Sequence, residues 1–276
     1  MPILDAAACA ALMGDLTRIA AHAAETILDF APDGETRRKA DGSPVTAADE
    51  AAETVIYDGL RRLVPDVPII SEERAAHEKP QAIASGSYFL VDPLDGTREF
   101  ISGSDEYTVN IALMTDGVPI LGIICMPALG SFWRGIVGRG ADGFSPADWT
   151  DEPTAIHTRP LPASAPMVMV SRSHLDARTQ AYVEGLPGAQ CVASGSSIKF
   201  CRVAEGSADI YPRLAPTHDW DIAAGHAILT AAGGSMTAPD GTPVVYGTND
   251  LLVPAFLAWG DPARAVLARG VSATDV

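Results

Sequence analysis

The residues best placed to do chemistry lie in one short run, Asp92-Pro93-Leu94-Asp95-Gly96-Thr97, which holds two carboxylates, a carbonyl and a hydroxyl. Pro93 fixes one backbone angle and removes an amide donor, and Gly96 permits a tight turn that other residues resist. Such a turn can aim Asp92, the Leu94 carbonyl and Asp95 at one point. Hard cations such as Mg2+ take oxygen ligands of this kind and complete their shell with water and substrate phosphate. The amides of Gly96 and Thr97, just past the turn, can form an anion-binding concavity. Asp-Pro and Asp-Gly are also ordinary turn dipeptides, so the rest of the chain has to decide. Three further acids, Asp49, Glu72 and Asp221, follow apolar segments or helix caps, and functional groups favour such element ends.

The elements that must position these acids can be read from periodicity. Apolar residues at helical spacing (Leu12, Leu16, Ile19, Ala20, Ala23, Ile27) predict an amphipathic helix within 3–30, stopped by Pro32 to Gly34. A Gly-Pro loop follows, and Thr46 reads as the N-cap of a helix over 47–63 with Asp49 in its first turn. Ile69-Ile70 is a short strand running into Ser71-Glu72-Glu73, and 87–92 is a buried strand that delivers Asp92. The stretch 107–127 predicts a hairpin across Thr115 to Val118, and 132–144 continues that antiparallel sheet. Residues 144–165, rich in Pro, Ala, Thr and Ser, mark a boundary. It separates an N-terminal α+β half (1–150), holding most of the acids, from a C-terminal α/β half (151–276), holding Asp221. That second half alternates strands and helices, and its last clear helix, 220–232, is stopped by Gly233-Gly234. Hairpins mixed with helix–strand units predict an α+β fold of layered sheets and helices.

Bulk properties exclude several function classes. The 276 residues carry a net charge of −16, which argues against nucleic acid or an anionic membrane as partner through a broad basic face. A small polyanionic substrate stays compatible, because bound cations invert the sign of a carboxylate cluster. Cys9, Cys125, Cys191 and Cys201 form no zinc-spaced pair and suit a reducing compartment. No signal peptide or membrane span is evident, so a cytoplasmic protein is expected, with peripheral membrane association left open. Only 272–276 suggest disorder.

With DGSPVTAAD (41–49), SEE (71–73), DPLDGT (92–97) and WDIAAG (220–225) in this order, the chain resembles the inositol monophosphatase superfamily of lithium-sensitive phosphatases. DPLDGTREFISGSDEYTVNIAL, SRSHLD (171–176), SGSSIKFCRVAEGSADIYPRLAPT (194–217) and WDIAAGHAI are similar to its 3'(2'),5'-bisphosphate nucleotidase branch. The resemblance implies a layered αβαβα sandwich of the sugar-phosphatase type. It implies two or three Mg2+ ions held by Glu72, Asp92, the Leu94 carbonyl, Asp95 and Asp221. Asp49, acting through Thr97 and together with Glu72, would activate the attacking water, and Gly96 and Thr97 would hold the phosphate. Substrate contacts would come from Glu72, Leu94, Asp95, Gly96, Thr97, Arg213 and Asp221. The partner would be a small phosphorylated molecule, and the protein a monomer or homodimer.

The substrate hinges on the segment before Trp220. Inositol monophosphatases place a carboxylate there for inositol hydroxyls, whereas here a basic residue, Arg213, stands roughly at that point. A guanidinium offers forked donors suited to a second phosphate, which favours adenosine 3',5'-bisphosphate. Arg213 could instead pair with a nearby acid such as Asp219; Lys199 and Arg98 are further basic candidates. Two alternatives remain: a sister phosphatase for inositol or sugar phosphates, and a non-catalytic nucleotide or metal sensor. The run Gly138-Arg139-Gly140-Ala141-Asp142-Gly143 matches a dinucleotide fingerprint literally but precedes Phe144-Ser145-Pro146, not a helix, so it reads as a glycine-rich hairpin end.

Overall fold

The computed structural model describes residues 2–32, 34–39, 41–77, 83, 85–145, 153–162, 165–248 and 250–265. The disorder expected for 272–276 lies outside the described residues. Asp5 starts the first helix, α1 (Ala6–Leu28), by accepting from the amides of Ala7 and Ala8. Thr46 caps α2 (Ala47–Leu63) in the same manner through the amide of Ala48, as expected of a Thr at that position. The two helices pack closely at Gly59, where an added Cβ would lie 2.8 Å from the Ile19 side chain. The loop expected before α2 is instead an antiparallel ribbon, β1 (Thr36–Arg38) with β2 (Pro44–Thr46). Strands of three residues are too short to leave a readable alternation.

The main sheet runs in sequence order through β3 (Ile69–Ser71), β4 (Ser87–Asp95), β5 (Thr108–Thr115), β6 (Val118–Met126), β7 (Ser131–Ile136), β8 (Gly140–Phe144) and β9 (Thr154–Ile156). β3 and β4 are parallel and every later pair is antiparallel. The β5–β6 hairpin turns on Asp116 and Gly117, both at positive φ, the two-residue turn whose twist matches the strands. The glycine-rich run expected as a hairpin end closes β7 onto β8. Two short helices leave this sheet, α3 (Glu72–Ala75) after β3 and α4 (Thr97–Ile101) after β4.

A second sheet has the order β11 (Gln190–Ser194), β10 (Met167–Ser171), β12 (Ile210–Arg213), β16 (Phe256–Trp259) and β14 (Ser235–Thr237). β13 (Thr217–His218) and β15 (Leu252–Val253) pair as a separate ribbon. Four helices accompany these strands among the described residues: α5 (Ala177–Glu184), α6 (Ile198–Ala204), α7 (Asp219–Ala231) and the one-turn α8 (Pro262–Ala265).

The burial pattern gives the layering. Val109, Ile111 and Leu113 of β5 face α1 and α2 in one core, whereas Ala112 and Met114 face α6 and α7 in another. Both faces of that sheet are therefore covered, which explains its nearly continuous apolar strands. Val168 and Val170 of β10 pack with Val183 of α5 in a third core. The result is the five-layer αβαβα sandwich. α7 sits directly on the main sheet, since a Cβ on Gly122 would lie 2.2 Å from the Ala224 carbonyl oxygen. That contact fixes the height at which the N-terminus of α7 presents Asp221.

Candidate active site

Four elements converge at one end of the main sheet. β4 does not simply turn after Asp92, as the sequence suggested; it continues to Asp95 through a bulge. Asp92 pairs with Asn110 and Asp95 with Thr108, so β4 holds one residue more than its partner across that interval. Pro93 lies in the bulge, where a missing amide costs no ladder bond. The Leu94 amide donates to Asp92 Oδ1 at 3.1 Å, which fixes the first carboxylate. Gly96 follows at φ +93° and an added Cβ would lie 3.2 Å from the Glu106 carbonyl oxygen, so two separate constraints demand glycine.

From that bulge Asp92 meets Glu72 at the start of α3 and Asp221 in the first turn of α7: one oxygen from each lies within 4.8 Å of the others. Asp95 stands beside this group and accepts from Ser196 Oγ at 2.8 Å. Asp221 accepts from Thr217 Oγ1 at 2.5 Å and from the His218 amide at 3.1 Å. Glu72, Asp92, Leu94, Asp95, Gly96, Thr97, Arg213 and Asp221 all line a cleft of about 310 Å³, within the size range of small-molecule sites. Asp49 does not line it. Its Oδ2 accepts from the amide and hydroxyl of Thr46, and its Oδ1 from Thr97 Oγ1 at 3.0 Å. Asp49 thus touches the cleft only through Thr97.

The electrostatics of the cluster are those of like charges packed together. Burial, then Glu72, Asp95 and Asp221, push the Asp92 carboxyl well above the usual range. Burial and the Asp221 charge push Asp95 up to about 6. Such an all-oxygen donor set, with buried acids driven toward protonation by one another, fits a hard divalent cation. Lys39, just past β1, partly compensates: its Nζ donates to Glu72 at 2.6 Å and to Glu73 at 2.7 Å.

These shifts set a pH dependence for the metal-free protein. Burial, and then neighbouring acids, raise Glu72 to about 8, and burial raises Glu73 to about 7. A carboxyl with a raised folded-state pKa binds its proton more tightly when folded. Its contribution is intact below the unfolded value and is lost as pH rises through the folded one. His226 is held neutral by burial down to about 4 and adds stability only up to its unfolded value of about 6.5. In chelator, the melting temperature should therefore fall between about pH 6.5 and 8, a window those folded and reference values define. Adding Mg2+ at a hundredfold excess over its dissociation constant should restore about 2.7 kcal/mol. A melting temperature in chelator that climbs across this window would contradict the arrangement.

Arg98, His174 and Arg213 also line the cleft, and Arg213 feels the charges of Asp221 and Asp95. His174 is pulled below its usual pKa by burial and then by the charges of Arg213 and Arg98. Arg213 Nη2 donates to the Pro216 carbonyl at 3.3 Å, and its buried Nε has no hydrogen-bond partner. The pairing with Asp219 weighed from the sequence is not made: Asp219 is fully buried and accepts from the Gly247 amide at 2.7 Å. Lys199 is committed elsewhere. Its buried Nζ donates to the carbonyls of Ser194 and Ser196, shaping the turn that carries Ser196 at φ +52°. Lys39 and Thr217 were not singled out in the sequence. A lysine just past a three-residue strand and a threonine on a two-residue one leave no pattern to read.

The αβαβα layering and the acid-lined cleft at the strand ends are those of a phosphatase of the inositol monophosphatase family, and the chain belongs to that family, matching it over residues 7–271. It is 43% identical over 245 residues to the 3'(2'),5'-bisphosphate nucleotidase CysQ of Escherichia coli (strain K12), covering 87% of this chain and 95% of that one. It is 44% identical over 246 residues to the CysQ of Salmonella typhimurium, again covering 87% of this chain and 95% of the relative. Among solved structures, CysQ from Bacteroides thetaiotaomicron, a bacterial member of the inositol monophosphatase family, superposes with a TM-score of 0.70 at 33% identity, over 87% of this chain and 94% of that one. The inositol monophosphatase from Anabaena superposes at 0.73 with 25% identity, over 94% of each chain. Among the described residues no helix is long and apolar enough to cross a membrane.

Proposed function

We propose that this protein is a Mg2+-dependent 3'(2'),5'-bisphosphate nucleotidase that releases the 3'-phosphate of adenosine 3',5'-bisphosphate, giving AMP and phosphate. The observation that carries the reading is Arg213, a half-buried guanidinium in the same cleft as the acidic cluster, which feels the charges of Asp221 and Asp95 but makes no direct ion pair among the described residues. A neutral polyol offers such a group only uncharged hydroxyl acceptors, whereas a second phosphate offers a forked, charged one.

Two or three Mg2+ ions, held by Glu72, Asp92, the Leu94 carbonyl, Asp95 and Asp221, would lower the pKa of water and screen the charge on the ester. The chain's own residues supply the rest. Thr97 gives its hydroxyl proton to Asp49, which leaves the Oγ1 lone pairs to accept from water and aim its oxygen at phosphorus. The Gly96 and Thr97 amides steady the phosphate that will be released. As the water oxygen joins phosphorus its proton passes to Thr97 while the Thr97 proton passes to Asp49; the bond to the sugar oxygen breaks, and that oxygen takes up a proton from solvent. Arg213, with Arg98 lining the same cleft, holds the second phosphate away from the reacting one. Four free cysteines fit a reducing, cytoplasmic setting.

Arg213→Glu tests the assignment. It should lower kcat/KM for adenosine 3',5'-bisphosphate by about a hundredfold, the scale of a lost buried charge pair, while hydrolysis of a monophosphate ester falls far less. Equal losses on both substrates would remove Arg213 from specificity.

A further inference from the structure

α2 presents more than Asp49 to the site. Asp49, Glu53 and Tyr57 stand at i, i+4 and i+8, so they form one stripe along the helix. Asp49 reaches the β4 bulge through Thr97. Glu53, one turn further on and 9% exposed, reaches the start of α3: its Oε1 accepts from Ser71 Oγ at 2.5 Å and from the Arg74 amide at 3.1 Å. Tyr57 lies under the Arg74 guanidinium, 3.6 Å from ring centroid to Cζ.

The bonding at Ser71 is unusual for a helix start. A Ser at the N-cap ordinarily turns its own oxygen to the amide three residues on. Here Ser71 makes no such bond. Its hydroxyl points to Glu53, and the amide it would have satisfied, that of Arg74, is taken by the same Glu53 oxygen. One carboxylate from a neighbouring helix therefore caps α3 in place of Ser71. Between these two anchors lie Glu72 and Glu73, and Glu72 is one of the three acids that meet in the cluster with Asp92 and Asp221.

We propose that Glu53 is a positioning residue for the metal site, holding both ends of the turn that aims Glu72 at Asp92 and Asp221. This rests on the reading that Glu72 is a metal ligand. One oxygen accepts both bonds, and the other only grazes the half-exposed Arg74 side chain, 4.0 Å from its Nε, so the device rests mainly on an acceptor and little on charge. Glu53→Gln, with its amide oxygen in place, should keep it; Glu53→Ala should free Ser71 to cap its own helix and let Glu72 swing.

Mn2+ titration followed by the loss of the free-ion EPR signal reads the site without turnover. Wild type and Glu53→Gln should bind with similar affinity, and Glu53→Ala should bind about 10–100-fold more weakly, the usual penalty for removing a group that orients a ligand. Mg2+ for half-maximal activity should rise in parallel, with most of kcat recovered at saturating metal. Should Glu53→Ala fail to fold, Ser71→Ala removes one of the two bonds and should weaken Mn2+ binding by a smaller factor. Unchanged Mn2+ affinity in Glu53→Ala, or in Ser71→Ala where it is the variant measured, would overturn the proposal, as would a Glu53→Gln loss equal to that of Glu53→Ala. No Mn2+ binding by the wild type would instead overturn the metal reading itself.

Discussion

Asp92→Asn is expected to abolish phosphate release while raising the melting temperature of the metal-free protein. The two effects have one cause. Asp92 is 1% exposed and lies within reach of Glu72 and Asp221, so its charge is tolerable only when a cation sits among them. Asn keeps the shape and can keep the acceptor for the Leu94 amide. It replaces a repelling carboxylate oxygen by an amide that donates to its neighbours. Activity should fall by more than the roughly hundredfold cost of losing a ligand's supporting partner. In chelator the midpoint should rise by a few degrees, since each kcal/mol moves it by about 2–4 °C in chains near this size. Thermal melts with and without Mg2+, beside a phosphate-release assay, check both signs. Retained activity, or a lower metal-free midpoint, would contradict the charge-cluster account.

Thr97→Val should cost about 10²–10⁴-fold in kcat, the range for losing a positioned proton acceptor, with little change in the Mg2+ needed for half-maximal rate. The substitution keeps the volume and removes the hydrogen bond that, among the described residues, links Asp49 to the cleft. Burial already raises the Asp49 pKa, and hydrogen bonds from Thr46 and Thr97 oppose that rise. Losing the Thr97 bond leaves Asp49 higher still, so any residual activity should need a higher pH than wild type. Thr97→Ser, which restores the hydroxyl, should recover most of the rate. A Val variant with near-normal kcat would show that water is oriented by another group.

How much of this was legible in the sequence depended on where the information lies. Helix α2 and its cap were readable because Thr46, Asp49 and the apolar stripe Ala48, Ala52, Ile56 and Leu60 are local. The β5–β6 hairpin was readable from Asp116-Gly117 between apolar runs. The bulge in β4 was not, since Pro93 suits a turn equally well and only the register against β5 distinguishes them. The convergence of Glu72, Asp92 and Asp221 spans 149 positions from first to last in the chain (221 − 72). Spacing alone could not bring them together; ordered motifs resembling a known family supplied that expectation. Lys39 and Glu53 stayed hidden for a different reason. Their roles come from partners on other elements, Glu72 and Glu73 for one, Ser71 and Arg74 for the other. Arg213 was visible as a basic residue in an unusual place, but its freedom from Asp219 became evident only when Asp219 was found holding Gly247.

The central claim is that this acidic cleft, with Arg213 beside it, hydrolyses a doubly phosphorylated nucleotide. The most direct measurement is Mg2+-dependent phosphate release from adenosine 3',5'-bisphosphate and from inositol 1-phosphate, side by side, with and without lithium. The account predicts strong preference for the nucleotide, loss of activity in chelator and inhibition by lithium. Preference for inositol 1-phosphate, or release that persists without a divalent cation, would contradict it.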